Sequence, residues 1–521
     1  MTKKILLLLP ALLVLNLNAG SGIAADNAPE QAIPDKLSPA EKREKALALF
    51  ISSMLEKDAD RQCSQLLEVV AADVRNCETP LAAFRTAFGR ARQKQKLLKT
   101  FNALWAKYPR DPELVCHGAL LNRAAGTPAK DRYEMLKPAL FQNKLEAEFL
   151  RWQKRHLDIL LPQGAEVMLT LGDHAGLLAL FNRWSGLQGA ALLSGPCHTA
   201  AARCFAAGND ELGKRLDQCF ETGLKELKNQ EKDLTSEKDL TQILVFYSNY
   251  RAILGRAELD LAADFNRRFP GKRANILLMS AALETGDIAA FDRAAAEIVK
   301  QAPRFDATEL RFKMLLNGRH FKEAEAEIGR LPEKYHFEFR KQLLMKKKDW
   351  KGLEKLIGSY LARGGAPDAA SGVVLLTAAE KLGSQELFRR AQKMLRGQLQ
   401  LPGIANAVGY VGATMELDLD EGRKLLEYAL SKEPANAAFL DSMAWIAFKQ
   451  KRFADAERFI TEALKHGNPR EGVSVILEHA GDIAAALKKD PRRFYDLALK
   501  YAPFDEEFEP AAVRKKLNRL K

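Results

Sequence analysis

From Ser38 onward, apolar residues recur at helical spacing along almost the whole chain. The segments are rich in Ala, Leu, Lys, Glu and Arg, and no run of alternating β-branched residues marks a strand. Ser38-Pro39-Ala40-Glu41 is typical of a helix start, with Ser as the N-cap, Pro in the first position and Glu in the third. The pattern therefore predicts an all-α protein.

Short breaks separate the predicted helices. Gly172-Asp173, Gly208-Asn209 and Gly286-Asp287 each precede a further amphipathic stretch, and Gly318-Arg319 is a similar break. A helix, a tight glycine turn and a second helix, repeated along a chain, are typical of a helical solenoid. Polar or glycine-rich stretches at 228–240 and 362–372 are the expected linkers.

One stretch of 34 residues, 437–470, shows the repeat most clearly. Each of its two predicted helices has one apolar face. Ala444 and Ala456 are small enough for the two helix backbones to approach closely, and Ile460 fills the space between neighbouring hairpins. Pro469 ends the unit. The stretch therefore has the residues that one helical hairpin needs.

This spacing resembles the tetratricopeptide repeat (TPR) motif, which has small residues at its eighth, twentieth and twenty-seventh positions, a large apolar residue at the twenty-fourth and a late proline. In the 437 unit these places hold Ala444, Ala456, Ala463, Ile460 and Pro469. In the preceding unit they hold Gly409, Gly422, Ala429, Leu426 and Pro434, and the following unit keeps Gly481, Ala498 and Pro503. The residues around them resemble the C-terminal repeats of exported, envelope-associated bacterial TPR proteins.

The resemblance implies an α-solenoid of stacked antiparallel helical hairpins that forms a right-handed superhelix. We expect a signal peptide at 1–25, a disordered lead-in at 26–37 and an N-terminal helical-hairpin region at 38–227. Degenerate TPR-like repeats follow at 241–401, and the C-terminal TPR repeats occupy 402–521.

In the family, the fifth, ninth and thirteenth positions of a repeat face the concave groove. By resemblance these are Asp441, Trp445 and Lys449. Trp445 would offer an aromatic anchor to a partner and Lys449 a charge. The alternative is that Trp445 packs on the adjacent hairpin. The Lys and Asn set with which chaperone-binding members hold a carboxylate is absent from the 403 and 437 units.

The first 25 residues have the layout of a secretory signal peptide. Lys3 and Lys4 precede an apolar stretch from Ile5 to Leu17, and small residues end at Ala25. A spanning helix needs roughly 20 apolar residues, so we expect export to the periplasm or cell envelope with cleavage near Ala25. An uncleaved anchor is the alternative. No cysteine directly follows the apolar stretch, so we do not expect a lipoprotein.

The chain has six cysteines, and an oxidising compartment permits disulfides. Cys197 and Cys219 lie at equal distances from the turn at residue 208, so an antiparallel helix pair would place them side by side as a candidate disulfide. Pro196 is the expected start of the first of these helices. Cys197 and Cys204 are about 10 Å apart along a helix and too far to bond. Buried free thiols are the alternative, and the spacings do not suit a metal site.

The chain has 80 Lys and Arg against 67 Asp and Glu, a net charge of +13. Removing Lys3 and Lys4 with the first 25 residues leaves +11. This excess favours anionic surfaces such as phospholipid headgroups or acidic polymer. Basic clusters lie between Arg85 and Lys99 and between Arg514 and Arg519. Solvated helix faces are the alternative, and export argues against nucleic acid.

Motifs for catalysis are absent from the sequence, including GxSxG, HExxH, GxxxxGK[ST] and GxGxxG. His479 shares a short stretch with Glu478 and Asp482, which a capping or hairpin contact explains. We expect no catalytic residue, cofactor or metal. The predicted function is a non-catalytic envelope scaffold that binds a protein segment in its groove. The alternatives are a binder of anionic envelope polymer or membrane, and an unrecognised enzyme acting on cell wall or polysaccharide.

Overall fold

A computed structural model describes residues 38–141, 154–185, 189–233, 247, 257–366, 368–505 and 508–520. This part of the chain forms 26 α-helices and three short 3₁₀-helices, and it contains no strand. The predicted all-α fold of helical hairpins is therefore confirmed. The expected signal peptide and the lead-in at 26–37 lie outside the described residues. The chain divides into two compact units, which meet at Thr127 and Pro128.

The first unit has five α-helices. They are α1 (Pro39–Leu55), α2 (Ala59–Ala72), α3 (Glu78–Arg90), α4 (Lys94–Lys107) and α5 (Pro112–Ala124), with a 3₁₀-helix at Val74–Asn76. Helix α1 begins as predicted: Ser38 Oγ accepts from the Glu41 backbone N at 3.3 Å, and Glu41 Oε2 accepts from the Ser38 N at 2.8 Å. The core of this unit is aromatic, with the buried rings of Phe84 and Phe101 stacked 5.8 Å apart.

The second unit opens with six helices. They are α6 (Ala129–Leu140), α7 (Lys154–Leu171), α8 (His174–Trp184), α9 (Gly189–Ala206), α10 (Asp210–Asp233) and α11 (Ala257–Arg268). Helices α9 and α10 pack along their length as a long hairpin. Helix α10 continues to Asp233, so the first six residues of the expected 228–240 linker are helical.

Seven hairpins follow, and α26 (Pro510–Asn518) closes the described chain. Their helices are α12 (Lys272–Thr285), α13 (Ile288–Gln301), α14 (Thr308–Asn317), α15 (Phe321–Ile328), α16 (Glu333–Lys346), α17 (Trp350–Ala362), α18 (Ala369–Leu382), α19 (Gln385–Leu395), α20 (Pro402–Thr414), α21 (Leu419–Lys432), α22 (Ala437–Lys449), α23 (Phe453–His466), α24 (Val473–Ala486) and α25 (Arg492–Tyr501), with 3₁₀-helices at Arg396–Gln398 and Ala502–Phe504.

The predicted glycine turns join helices, but the turns at Gly286-Asp287 and Gly318-Arg319 place the positive φ at different residues. Gly286 has a φ of 73°, and the neighbouring Asp287 caps α13 through the Ala290 N at 2.9 Å. At the Gly318-Arg319 break the left-handed residue is Arg319, with a φ of 59°. Gly318 is needed for a different reason, because a Cβ on Gly318 would lie 2.8 Å from the Gly286 carbonyl oxygen and 2.9 Å from the Gly286 Cα. Two successive turns therefore touch through their backbones.

The small residues of the predicted repeats lie where helices meet. Ala444, Ala456 and Ala463 have no exposed surface. In the preceding unit, a Cβ on Gly409 would lie 2.9 Å from the Gly422 carbonyl oxygen, so α20 and α21 touch through their backbones. The repeat register predicted for the C-terminal hairpins is confirmed.

Pro196 does not start a helix, as the sequence suggested, because α9 begins at Gly189 and contains Pro196 in its interior. Proline removes one backbone hydrogen bond from a helix. Ala190, Leu193 and Cys197 are all buried on one face of α9, and their burial holds the helix across this position. Local proline preference is therefore overridden by tertiary contacts.

Within the second unit, the α9–α10 hairpin contacts the C-terminal hairpins. Arg203 donates to the backbone oxygens of His466 and Gly467 at 3.1 and 3.0 Å. Lys500 on α25 pairs with Asp217 on α10 at 2.9 Å. Segments more than 250 residues apart in sequence thus meet. Across the described ranges, no helix is long and apolar enough to cross a bilayer.

Candidate partner-binding surface

The three groove residues inferred from the repeat motif lie on one side of α22. Asp441, Trp445 and Lys449 are four residues apart, so their side chains follow one another along the helix. Helix α22 packs beside α20 and α24, the first helices of the two neighbouring hairpins. We call the surface formed by α20, α22 and α24 the first-helix surface.

Asp441 is buried at the base of this surface. Its two carboxylate oxygens lie 2.9 and 3.0 Å from Nδ1 of His479 on α24. Both side chains are 7% exposed. Burial on its own lowers the pKa of His479, but the carboxylate of Asp441 and those of Asp482 and Glu478 outweigh it, so the pKa is raised above its ordinary value. The surrounding carboxylates therefore stabilise the protonated form of the His479 ring more than burial opposes it.

Trp445 bridges three hairpins. Its indole ring stacks on the imidazole of His479 with centroids 4.1 Å apart and 16° between the planes. Its Nε1 donates to Thr414 Oγ1 on α20 at 3.2 Å. Trp445 is half-buried, so part of the ring still faces solvent. The residue packs on the adjacent hairpins, as one interpretation predicted, and keeps an accessible surface as well.

Lys449 lies at the edge of the first-helix surface. Its Nζ is 3.0 Å from Glu416 Oε1, and it lies 5.3 Å from the centre of the Trp445 ring. The Lys449 side chain is 19% exposed, whereas that of Glu416 is 69% exposed. The charge most available to a partner at this edge is therefore the Glu416 carboxylate, which the sequence did not single out.

The outer part of α24 carries a second polar cluster. Lys516 on α26 donates to Glu478 and Asp482 at 2.7 and 2.6 Å, and Tyr495 donates to Asp482 at 2.7 Å. Burial lowers the pKa of Lys516, but its hydrogen bonds to Asp482 and Glu478 outweigh burial and raise it. Glu478 and Asp482 thus fix the last helix on α24, which agrees with the hairpin contact expected for this stretch.

The sequence did not link His479 to Asp441. The two residues are 38 positions apart, whereas the repeat places equivalent residues 34 apart in the best-matched units. A pair that joins different positions of two repeats has no periodic signature. The sequence offers only a lone histidine in one hairpin and an aspartate in the previous hairpin as signals of this contact.

The Cys197–Cys219 pair stays a prediction. Both are buried thiols on α9 and α10, and they are hydrogen bonded to each other. That hydrogen bond and burial raise the pKa of Cys197 well above its usual range, because Cys197 acts as the donor. The helix pair therefore brings the two sulfurs together, as their distances from the turn indicated.

The His479 ring is surrounded by side chains of the neighbouring hairpins. Among the described residues, Asp441 is its hydrogen-bond partner, and the Tyr410 ring lies with its centre 6.1 Å from that of the imidazole. In the same part of the chain, no group of three or more His, Cys, Asp and Glu side chains is arranged to hold a metal ion. What the surface offers is a fixed set of aromatic and charged groups.

No protein-family model matches the chain. A segment of 60 residues is 42% identical to the TPR repeat-containing protein PA4667 of Pseudomonas aeruginosa, and the match covers 12% of this chain and 10% of that protein. The match thus spans about a tenth of the length of this relative. It confirms the resemblance to TPR proteins that the residues of the C-terminal repeats indicated.

Three solved structures align with the chain over most of its length. The structure of yeast Tom70 covers 92% of this chain and 95% of its own, with 12% identity and a TM-score of 0.31. The APC/C hetero-tetramer Cut9-Hcn1 covers 87% and 88%, with 12% identity and a TM-score of 0.33. The pentatricopeptide repeat protein PPR10 from maize covers 91% and 78%, with 13% identity and a TM-score of 0.33.

The hairpins and their small-residue contacts define the class of protein: an all-α helical-repeat protein with TPR-like hairpins. Repeats of this kind stack on their neighbours and present extended surfaces for binding other proteins. An interaction scaffold is therefore the general role that the fold indicates.

Proposed function

We propose that this protein is a non-catalytic scaffold of the bacterial cell envelope that binds a segment of a partner protein on the first-helix surface. The observation that carries the proposal is the fixed position of Trp445. The ring stacks on His479 and on Phe448, its Nε1 donates to Thr414, and the residue is half-buried. Aromatic side chains held rigidly in this way lose little entropy when a partner binds, which suits a binding anchor.

The groups around Trp445 indicate what the partner segment carries. An apolar side chain would pack on the exposed part of the indole ring. Glu416, with its carboxylate mostly exposed, would accept from a Lys, an Arg or a backbone N–H. Lys449 is already paired with Glu416, so it contributes mainly by orienting that carboxylate. The proposed partner segment is therefore apolar with an adjacent basic residue.

Site-specific photo-crosslinking in the native bacterium tests this proposal. A photoreactive residue replaces Glu416, and the cross-linked proteins are identified by mass spectrometry. The matched control places it at Lys424, which is 73% exposed on α21, the second helix of the α20–α21 hairpin. We expect a defined partner from position 416 that is lost when Trp445 is changed to Ala. The same products from both positions would contradict binding at this surface.

The envelope location is tested on the same cells. The basic and apolar layout of residues 1–25 supports export. We expect the protein in the periplasmic fraction, with a mature N-terminus at Asp26. A protein that keeps Met1 and stays with the cytoplasmic fraction would contradict export. The binding role of the first-helix surface would still be tested separately by the cross-linking experiment.

A further inference from the structure

The first compact unit contains a strongly basic segment that the proposed function does not use. Residues 79–110 hold eight Lys and Arg and no Asp or Glu. All eight are exposed, and none of them forms an ion pair with a carboxylate in the described part of the chain. These residues are Arg85, Arg90, Arg92, Lys94, Lys96, Lys99, Lys107 and Arg110. The segment therefore carries a local excess of positive charge.

An apolar groove lies beside this charge, between α2 and α4. Its volume is about 330 Å³. Leu67 and Ala71 on α2 and Leu104 on α4 line it, and Lys96 and Lys107 stand on the α4 side. The groove therefore combines an apolar lining with a basic wall.

The two lysines are spaced to hold a short helix. Lys96 and Lys107 are eleven residues apart, which is three turns and about 16 Å along α4, so they project from the same side. Apolar lining residues lie between them on that side. A helix that lies along α4 would present acidic residues at the same interval and apolar residues in between.

We propose that the groove between α2 and α4 binds an acidic amphipathic helix of a partner protein. The partner's leucine-like side chains fill the groove, and its carboxylates pair with Lys96 and Lys107. Glu68 on α2 lines the opposite wall, so a basic or neutral residue of the partner faces it. A lipid surface fits this site less well, because flat headgroups would reach the lysines and leave the concave apolar lining unfilled. The site lies outside the first-helix surface and goes beyond the proposed function.

A panel of designed peptides tests the proposal with the full-length protein. The first peptide is a helix with two Glu residues eleven positions apart and Leu on the same face between them. A second peptide has Lys in place of both Glu, and a third has Gln in place of each Leu. Fluorescence anisotropy measures binding at low and at moderate ionic strength. We expect the first peptide to bind, and each change to weaken affinity by about tenfold or more.

Two protein variants locate the binding. The double charge reversal of Lys96→Glu and Lys107→Glu should lower the affinity for the first peptide by about tenfold or more. Thr100→Trp fills the groove without removing a buried side chain, because Thr100 is exposed and lines it. It should abolish binding of the Leu peptide. The matched control, Lys351→Glu with Lys355→Glu, changes the net charge equally through exposed residues of α17 and should have no effect.

Several results would overturn the proposal. Equal binding of the Leu and Gln peptides would show attraction by charge alone. A second contrary result is binding of vesicles that contain a third of anionic phosphatidylglycerol in place of the peptide. If the same charge-reversal variant loses that binding, the ligand is a membrane surface instead. No binding of any peptide would reject the site. None of these outcomes depends on cross-linking at Glu416, so failure here and failure of the proposed function are distinguishable.

Discussion

Nδ1 of His479 lies 2.9 Å from a carboxylate oxygen of Asp441, and the two residues belong to successive hairpins. Helix α22 supplies the acid and α24 the imidazole, so the pair fixes the distance between two repeats. Trp445 covers the imidazole with its ring. A buried pair of this kind is costly to disrupt, because the partner left behind has no water to replace the lost contact.

Replacing Asp441 with Asn should lower the pKa of His479 below its ordinary value. Burial then acts with less opposition, because the nearest carboxylate is gone, although Asp482 and Glu478 remain. The titration of the His479 ring protons by NMR, in a variant with few other histidines, measures this directly. A pKa that stays raised in Asp441→Asn would show that the remaining acids, rather than Asp441, set it.

The same pair makes stability depend on pH in a defined direction. A group whose pKa is higher in the folded than in the unfolded state binds its proton more tightly when folded, so its contribution is complete below the unfolded value near 6.5 and is lost as pH rises through the folded value. The stability lost in Asp441→Asn should therefore be larger at pH 6 than at pH 9. Asp496→Asn, an exposed acid on α25, is the matched control and should show no such difference.

Two glycines of one helix provide a test of the repeat geometry. A Cβ on Gly409 would lie 2.9 Å from the Gly422 carbonyl, whereas a Cβ on Gly403 would meet nothing within 4 Å. Gly409→Ala should therefore push α20 away from α21 and destabilise the protein by about 1–3 kcal/mol. Gly403→Ala should be neutral or stabilise by roughly 0.5 kcal/mol, since alanine favours helix. Urea denaturation compares them, and equal midpoints would contradict the close approach.

Sequence patterns predicted features that repeat or that are local. The capping residues Ser38 and Glu41 and the small residues Gly409 and Ala444 follow from rules about helix ends and about backbones that touch. Gly318 shows the limit of such rules: the pattern predicts a glycine turn, but Arg319 has the positive φ and Gly318 is required for its close contact with Gly286. The break was predicted correctly, but for an incomplete reason.

The sequence pattern did not predict contacts between elements that are far apart in the chain. Arg203 and His466 are 263 residues apart, and an arginine on an amphipathic helix looks like any solvated arginine. Trp445 and Lys449 follow one another along α22, and their role as groove residues stays a prediction. The most exposed acid beside them is Glu416, which the sequence did not single out. Asp441 is buried against His479, a residue of another hairpin. No rule about local sequence predicts that contact.

Arg203 should be needed to hold α9 on the C-terminal hairpins. Its guanidinium donates to three backbone oxygens, those of Leu169, His466 and Gly467. Arg203→Met removes all three hydrogen bonds and leaves partly buried acceptors unpaired, at a cost of about 2–3 kcal/mol. Hydrogen exchange should become faster in α9 and at the end of α23, and stay unchanged in α12. Arg389→Met, an exposed arginine on α19, is the control. Unchanged protection of α9 would show that apolar contacts suffice.

Oxidised glutathione should convert Cys197 and Cys219 to a disulfide. The hydrogen bond from Cys197 lowers the pKa of Cys219, so Cys219 is the first thiolate to attack. It forms a mixed disulfide and releases one glutathione thiol, and Cys197 then displaces the second, so two protein thiols are oxidised and one glutathione disulfide is reduced. The new bond closes a loop of about 20 residues and should raise the free energy of unfolding by about 3 kcal/mol.

Peptide mapping identifies the disulfide, and Cys204 is an internal control on the same helix. Burial raises the pKa of the Cys204 thiol to about 11, and Cys204 lies 3.3 Å from His174 rather than from another sulfur. It should remain a thiol under the same conditions. Cys197→Ser should stop the reaction at the mixed disulfide on Cys219, which separates a correctly placed partner from general reactivity. A disulfide between Cys204 and Cys219 would mean that α9 and α10 do not pair in the register described.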